Sequence, residues 1–282
     1  MLTRFAPSPT GELHLGHAYS AVLAHGAARA ANGRFLLRID DIDGSRSRED
    51  YVAASLADLA WLGLDWDGDP VRQSAHLARY AAALGDLRLR ALVYPCFCTR
   101  ADIAASLAAP HGPSGTIYPG TCRHLSEAER DRLAAEPHAW RLDMARAVAL
   151  AGELRWEEQG QGMRVADPSA HGDIVLARKD APASYHLAST LDDAAMGVTH
   201  VIRGADLIAS TDVHRLLQAL LGLPTPVYRH HGLVCGPDGK RLAKRDAAAS
   251  LASLRDAGVD GPALAADLLR ERLPAGYSLQ IP

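Results

Sequence analysis

Short apolar strands alternate with helices over the first hundred residues, and this alternation constrains the fold more than any other feature of the chain. Residues 1–6 and 34–39 have the composition of buried strands, whereas residues 15–31, 49–62 and 75–92 have helical periodicity. The order strand, helix, strand, helix is typical of a parallel sheet with helices on both faces. We therefore expect an α/β fold.

The alternation breaks in the middle of the chain and then returns. Residues 96–122 are rich in Pro, Gly and Cys and indicate an inserted loop module, after which Ser126 and Glu129 have the spacing of a helix capping box. A strand, a helix and a strand over residues 173–204 are then expected to resume the parallel pattern. A helix over 210–222, a strand and a turn over 226–246, and two closing helices are predicted to follow.

Composition narrows the class of protein. The net charge of −3 gives no global basic field, so a nucleic-acid partner would need local patches such as residues 239–246. No apolar run reaches the roughly 18 residues that span a membrane, and the N-terminus lacks the apolar core of a secretory signal. Four cysteines do not suggest a disulfide framework. We expect a monomeric cytoplasmic protein with reduced thiols.

The segment RFAPSPTGELHLGH, residues 4–17, indicates a ligand site rather than simple packing. Its prolines and glycines stop the first strand sharply. His14 and His17 then lie where a helix begins, and the free N–H groups of a helix start bind anions. Imidazoles there can donate hydrogen bonds to phosphate oxygens, and Gly16 lets a flat base or sugar approach the backbone. Two surface histidines without a ligand are the simpler alternative for this spacing alone.

The cysteines give a separate indication. Cys96 and Cys98 are followed, after nineteen residues, by Tyr118 and Cys122, within a Gly/Pro-rich segment. Three converging thiolates suit a tetrahedral structural zinc site, in which the fourth ligand could be His111, His124 or Tyr118. Three buried thiols without a metal are the alternative interpretation. Cys235 stands apart and is expected to be a packing residue.

These motifs resemble the class I aminoacyl-tRNA synthetases. HLGH matches the first signature of that family, and RFAPSPTG is similar to its glutamyl and glutaminyl branch. The segment KRLAKR, residues 240–245, resembles the second signature, with Lys244 at the lysine that stabilises the triphosphate and Ala243 where serine is usual. The resemblance implies a Rossmann-type core that binds ATP with Mg²⁺ through His14, Gly16, His17 and Lys244, and it implies catalytic roles for His14, His17 and Lys244.

The same resemblance implies a pocket for L-glutamate. Asp40, in RIDDID, matches the residue that holds the amino group, although the family more often has glutamate there. Arg4 and Arg203 match arginines that bind carboxylates, and Tyr185 matches a pocket-lining tyrosine. The glutamate-binding residues implied in this way are Arg4, Phe5, Ala6, Pro7, Ser8, Asp40, Tyr185 and Arg203.

Within this family the chain resembles the truncated glutamyl-queuosine tRNA(Asp) synthetases. The chain ends at Pro282, without room for a large helical anticodon-binding portion, and Ser189 replaces an asparagine typical of glutamyl-tRNA synthetases. The resemblance covers residues 1 to about 250. It implies activation of glutamate by ATP and transfer to queuosine in tRNA(Asp), and it implies one structural zinc held by Cys96, Cys98, Tyr118 and Cys122.

The expected organisation has four parts. Residues 1–95 and 166–246 would form the two halves of the nucleotide-binding core, the second carrying the lysine loop. Residues 96–124 would be the zinc-binding insertion, within a connecting subdomain that runs to about residue 165. Residues 247–282 would be a helical C-terminal part.

Three alternative functions stay open at this point. The nearest is a minimal glutamyl-tRNA synthetase that charges a tRNA 3′ end. The others are a class I-type ligase that joins an amino acid to a non-RNA acceptor, and a non-catalytic RNA-binding paralogue. Intact His14, His17 and Lys244 count against the last of these.

Overall fold

A computed structural model of the chain describes residues 1–99, 102, 117–242 and 250–280. The strands in this part of the chain are β1 Leu2–Phe5, β2 Arg34–Ile39, β3 Val71–Arg72, β4 Val93–Cys96, β5 Ala139–Leu142, β6 Arg155–Glu158, β7 Gly162–Val165, β8 Val175–Ala177, β9 His200–Gly204, β10 Val227–His231, β11 Leu233–Cys235 and β12 Ser278–Gln280. The helices are α1 Leu15–Ala30, α2 Glu49–Trp61, α3 Leu77–Leu89, α4 Glu127–Leu133, α5 Met144–Ala151, α6 Tyr185–Ala195, α7 Ile208–Leu220, α8 Leu251–Asp256 and α9 Gly261–Leu269.

Two groups of parallel strands meet at the centre of the molecule. One has the order β1-β2-β3, and the other has the order β9-β10-β6 with β7 added antiparallel at its edge. The start of β9 lies beside the start of β1, because Thr199 N donates a hydrogen bond to Leu2 O at 3.0 Å. β1 therefore has β2 on one side and β9 on the other. In open α/β sheets, ligands bind at the point where the order of the strands reverses in this way.

The predicted elements of the first hundred residues are confirmed, with small shifts of their ends. The strand 34–39 is found as predicted, and the helix expected over 75–92 spans Leu77–Leu89 after a short 3-10 turn. The capping box of α4 is also confirmed, since Ser126 Oγ accepts from Glu129 N at 3.3 Å and Glu129 binds back to Ser126 N at 2.8 Å.

The expectation that residues 173–180 resume the parallel pattern is wrong. β8 pairs antiparallel with β5, which itself pairs antiparallel with β4, in a separate sheet beside the cysteine segment. An extended apolar run predicts a strand but does not tell which neighbour it will pair with. The parallel pattern returns only at β9.

Several strands were not expected from the sequence. β5, β6 and β7 fill the connection between the cysteine segment and the second group of parallel strands. β12 pairs antiparallel with β11, so the closing segment is not wholly helical. These strands are three or four residues long, which is too short for a period of two residues to be recognised.

Two large apolar clusters form most of the core in the described part of the chain. One packs α1 and α9 against β1 and β2 and includes Phe35 and Leu37. The other packs α3, α6 and α7 around β4 and β5 and includes Tyr80 and Leu217. In the part of the chain that the structure describes, no helix is long and apolar enough to cross a membrane.

Candidate functional site

A cavity of about 800 Å³ opens at the carboxyl ends of β1, β9 and β10. Its wall combines the segment after β1, the start of α1, the turn after β9 and the β10–β11 connection. Every described residue that the resemblance assigns to ATP or glutamate lines this one cavity: Arg4, Phe5, Ala6, Pro7, Ser8, His14, Gly16, His17, Asp40, Tyr185 and Arg203. Lys244 and Ala243 lie outside the described residues.

His14 and His17 form the N-terminal cap of α1. His14 Nδ1 accepts a hydrogen bond from Gly16 N at 3.1 Å, and His17 Nδ1 accepts one from His14 N at 3.1 Å. The two ring centroids are 3.8 Å apart. Because Nδ1 of each ring accepts from the backbone, the proton of each neutral ring is on Nε2. Both rings can therefore act as Nε2–H donors at the wall of the cavity.

Residues 241–242 and 250–251, which flank Lys244 in the sequence, lie at or beside the cavity wall. Leu242 lines the cavity, and Ser250 forms a β-bridge with His14. Leu251 N also donates to Leu13 O at 2.8 Å. Arg241, in the same segment, forms an ion pair with Asp206 at 2.6 Å, and both residues line the cavity.

A chain of buried ion pairs forms one wall. Arg4 binds Asp193 through Nε at 2.9 Å and Nη2 at 3.2 Å. Arg38, which is completely buried, donates to the same Asp193 through Nη1 at 2.5 Å and to Asp40 through Nε at 2.6 Å. It also donates to Ser189 Oγ at 3.2 Å. Arg38 therefore fixes the position of Asp40, and Arg4 is already paired with a carboxylate of the protein.

The two carboxylates of this ion-pair wall, Asp40 and Asp193, have opposite pKa shifts. Burial raises the pKa of Asp40 above its ordinary value in spite of Arg38. Burial acts on Asp193 in the same direction, but Arg4 and Arg38 together hold its pKa below the ordinary value. A further cation beside Asp40 would stabilise its charged form. Asp40 is thus the carboxylate of this wall that gains most from binding a cation.

Arg203 is held on another wall by neutral groups. Its Nη2 donates to Thr211 Oγ1 at 2.7 Å, and its Nη1 donates to Tyr185 OH at 3.2 Å. Its Nε donates to His230 Nε2 at 3.3 Å, so His230 carries its proton on Nδ1, which faces Glu158 at 2.7 Å. Glu158 therefore lies behind the imidazole of His230 and has no direct hydrogen bond to Arg203 among the described residues.

Burial keeps the histidines around Arg203 neutral. Burial, reinforced by Arg203, lowers the pKa of His230 to about 4 although Glu158 opposes the shift. The same two causes lower the pKa of His214 well below its usual value. Since Arg203 Nη1 lies 3.3 Å from His214 Nδ1, that nitrogen accepts, and His214 Nε2 donates to His186 at 3.3 Å. The positive charge here is confined to the guanidinium.

Sequence reasoning missed the supporting residues of both walls. These are Arg38, Asp193, Thr211, His214, His230 and Glu158. Arg38 and Asp193 lie within the segments RIDDID and YHLASTLDD that drew attention for other residues. Glu158 gave no signal, because it meets His230 only through the pairing of β6 with β10.

The cysteine segment converges to a second site. The Sγ atoms of Cys96, Cys98 and Cys122 all lie within 4.8 Å of one another. The hydroxyl of Tyr118 lies 3.4 Å from the Sγ atoms of both Cys96 and Cys98. Three sulfurs and one oxygen at these separations fit the tetrahedral arrangement of a structural zinc, in which Zn–S bonds are about 2.3 Å. The cluster is therefore a candidate metal site.

The two candidates for the fourth ligand that the structure describes, Tyr118 and His124, lie in different surroundings. Tyr118 is buried and in contact with the sulfurs, whereas His124 is exposed and not part of the cluster among the described residues. His111 lies outside the described residues. Cys235 is buried on β11, where its Sγ lies 3.6 Å from Gln280 Oε1.

Comparison with known proteins gives a consistent result. The profile of the class I tRNA synthetases (E and Q), catalytic domain, matches residues 1–274. A glutamyl-Q tRNA(Asp) synthetase of Rhodobacter capsulatus is 51% identical over 92% of this chain and 96% of its own length. One of Symbiobacterium thermophilum is 45% identical over 90% of this chain and 81% of its own length.

Solved structures agree with these relatives. The crystal structure of the glutamate-tRNA synthetase from Elizabethkingia anophelis superposes with a TM-score of 0.81 at 27% identity. The match covers 95% of this chain and 61% of the Elizabethkingia chain, so this chain spans less than two thirds of that structure.

Proposed function

The chain belongs to the class I glutamyl- and glutaminyl-tRNA synthetase catalytic-domain family, and from that premise we propose that it activates glutamate with ATP and transfers the glutamyl group to queuosine in tRNA(Asp). It is a ligase of the aminoacyl-tRNA synthetase type. The choice of queuosine as acceptor follows the two relatives described as glutamyl-Q tRNA(Asp) synthetases, of which this chain covers 96% and 81%.

One observation carries the proposal. All the described residues assigned to ATP and glutamate, which come from distant segments, line a single cavity at the carboxyl ends of parallel strands. We also propose that the protein acts as a monomer. We propose that the protein acts in the cytoplasm, where both proposed substrates, ATP and tRNA, are present.

The glutamate end of the cavity is assigned to the ion-pair wall and to Arg203. Asp40 would bind the substrate ammonium, because a cation relieves the cost of its burial. Arg203 is held by neutral partners, among them Tyr185, so its guanidinium keeps its charge for a substrate carboxylate. Arg4 holds Asp193 through Nε and one hydrogen of Nη2, and we assign its remaining N–H groups to a substrate carboxylate.

The activation step needs no covalent protein nucleophile. An oxygen of the glutamate α-carboxylate attacks the α-phosphorus of ATP, and the bond from that phosphorus to pyrophosphate breaks. Nε2–H groups of His14 and His17, together with Lys244, would donate to the phosphoryl oxygens as their charge increases. Mg²⁺ would enter with ATP and neutralise phosphate charge. Alignment of the two substrates in one cavity supplies a further part of the acceleration.

The transfer step uses the mixed anhydride formed in the first. A ring hydroxyl of queuosine attacks the activated carbonyl, the new ester bond forms as the hydroxyl loses its proton to solvent, and AMP leaves with the electron pair of the broken bond. The anticodon base must reach the mouth of the same cavity.

We assign zinc to the cysteine cluster, with Cys96, Cys98, Tyr118 and Cys122 as its ligands. Burial raises the pKa of the Cys98 thiol to about 11, and a bound zinc would displace that proton. The cluster lies at the end of β4, which belongs to the antiparallel sheet, and is not part of the cavity lining, so the metal would stabilise the insertion rather than act on the substrates.

The deciding experiment measures transfer of labelled glutamate to purified tRNA(Asp). With ATP present, tRNA(Asp) that carries queuosine should accept glutamate, and the same tRNA without queuosine should not. Charging of tRNA(Glu) at its 3′ end instead would establish the alternative of a minimal glutamyl-tRNA synthetase.

A second measurement tests the cavity by itself. Glutamate-dependent pyrophosphate exchange should proceed without any tRNA, because the assigned ATP and glutamate residues are all contributed by the protein. An absolute requirement for tRNA in this exchange would contradict the assignment and favour the ordinary glutamyl branch.

A further inference from the structure

Arg141 on β5 touches two of the four residues assigned to the metal. Its Nε donates to Cys96 Sγ at 3.3 Å, and its guanidinium carbon lies 3.8 Å from the centre of the Tyr118 ring. Its Nη1 donates to the backbone carbonyl of Asp173 at 2.6 Å. The side chain is fixed by these contacts and is only 8% exposed.

The positive charge of Arg141 has no carboxylate partner. Over the residues that the structure describes, no ion pair joins Arg141 to an acidic side chain within 4 Å. Asp173 offers it a carbonyl oxygen, while the carboxylate of Asp173 is bound by Arg123, Tyr94 and Met144 N. A buried cation is costly unless an opposite charge lies beside it.

The loaded metal cluster would supply that opposite charge. A zinc ion contributes two positive charges and three thiolates contribute three negative ones, so the cluster carries at least one net negative charge. Ionisation of the tyrosine would add to it but is not required. Cys96 is both a member of the cluster and the acceptor of the Arg141 hydrogen bond.

We infer that Arg141 is a positioning residue of the metal site, which balances the negative charge of the zinc-loaded cluster and orients Cys96 and Tyr118. The inference rests on the proposed zinc site but not on the proposed activity. It accounts for the burial of an arginine that neither the cavity nor another ion pair uses. It also makes the cation and the metal depend on each other, because each leaves an unbalanced buried charge when the other is missing.

The test is a zinc-affinity measurement on the full chain, by competition with a chromophoric chelator at fixed pH. Arg141→Met removes the charge and keeps the length, and it should weaken zinc binding about 10- to 100-fold, as loss of a partner of a metal ligand typically does. Arg141→Lys keeps the charge and should retain most of the affinity. Cobalt-substituted Arg141→Met should also show a shifted sulfur-to-metal charge-transfer band.

Arg88→Met is the matched control. Arg88 lies over the ring of Trp140, the residue next to Arg141, at 4.3 Å, and among the described residues it has no hydrogen bond to Cys96, Cys98, Tyr118 or Cys122. The Arg88→Met variant should bind zinc and cobalt like the unmodified protein. Should Arg141→Met fail to fold, the Arg141 Nε–H proton resonance of the unmodified protein decides the matter, because it should shift between the metal-free and zinc-loaded forms.

The outcomes separate the two proposals. Unchanged zinc affinity in Arg141→Met, or an Nε–H resonance that does not respond to metal, overturns the role of Arg141. An unmodified protein that binds no zinc overturns the metal site itself. Neither result bears on glutamate activation, which is measured separately.

Discussion

The cavity joins charged residues from segments as far apart as Arg4 and Asp193, whereas the cysteine cluster takes its four donors from residues 96–122. In the cavity, most charged side chains are held by partners from distant segments, and Arg38 alone contacts three side chains. In the cluster, spacing along the chain largely determines which donors meet. A change in the cavity should therefore affect both activity and global stability, while a change in the cluster should affect a local part of the structure.

The largest effect is expected from Arg38→Met. This change leaves Asp40 and Asp193 buried without one of their cations, and loss of one partner of a buried pair typically costs about 3–5 kcal/mol. Urea unfolding should show that loss, and the KM for glutamate in pyrophosphate exchange should rise. Arg34→Met, at the exposed start of the same strand, is the control and should change stability by no more than about 0.5 kcal/mol. Equal losses in the two variants would mean that Arg38 is not the support of this wall.

Lys244→Ala tests the cavity without disturbing its buried ion pairs. If Lys244 stabilises the triphosphate, the activation rate should fall by about two to three powers of ten, or roughly 3–4 kcal/mol. Glutamate affinity should hardly change. Lys240→Ala, whose side chain is 82% exposed and lies 3.9 Å from Asp238, should lose much less. Similar losses in both variants would show that KRLAKR is a basic turn rather than a signature.

The histidines behind Arg203 predict a dependence of stability on pH. His230 has a pKa of about 4 in the folded protein and about 6.5 when unfolded. Between these values the unfolded chain binds more protons, so stability falls as pH falls from about 6.5 towards about 4. Each such histidine contributes a slope of about 1.4 kcal/mol per pH unit. Urea unfolding of His230→Gln at pH 7, 6 and 5 should show a correspondingly smaller slope, and an unchanged slope would mean that His230 is protonated beside Glu158.

The smallest effect on activation is expected from Cys98→Ser. Zinc content should fall and the antiparallel sheet should become more susceptible to proteolysis, while the rate of pyrophosphate exchange should stay within about twofold, or about 0.5 kcal/mol. Cys235→Ser loses a thiol outside the cluster and should keep one zinc per chain. A large loss of exchange in Cys98→Ser alone would show that the two regions are coupled.

How much of the cavity and of the cysteine cluster could be predicted depends on whether the residues that meet are close in sequence. His14 and His17 are close in sequence, as are the cysteines, and their spacing predicted that each group would come together, as it does in the structure. The alternation of strands and helices predicted the parallel groups, because buried parallel strands are continuous apolar runs. The residue pairs of the cavity could not be predicted in the same way, since Asp193 of α6 meets Arg4 of β1, and Glu158 of β6 meets His230 of β10, only when distant parts of the chain pack together.

The pairing direction of β8 failed for the same reason. Its residues have the apolar pattern of a core strand, but its partner is β5, whose tryptophan and arginine gave no sign of a strand. Short antiparallel strands are stabilised by cross-strand neighbours more than by intrinsic preference. Sequence patterns therefore recovered the elements of the core better than those of the connecting sheet.

The contact between Thr199 and Leu2 has a consequence for how the chain is made. These residues are 197 positions apart, so during synthesis β1 emerges long before the strand that covers its second side. Until β9 is translated, that edge of β1 is open to incorrect pairing. The cysteine cluster can assemble while the ribosome is still making the second half of the core. The cavity is completed later still, because its wall includes Leu242, and folding of the core depends on how well the early strand is protected until then.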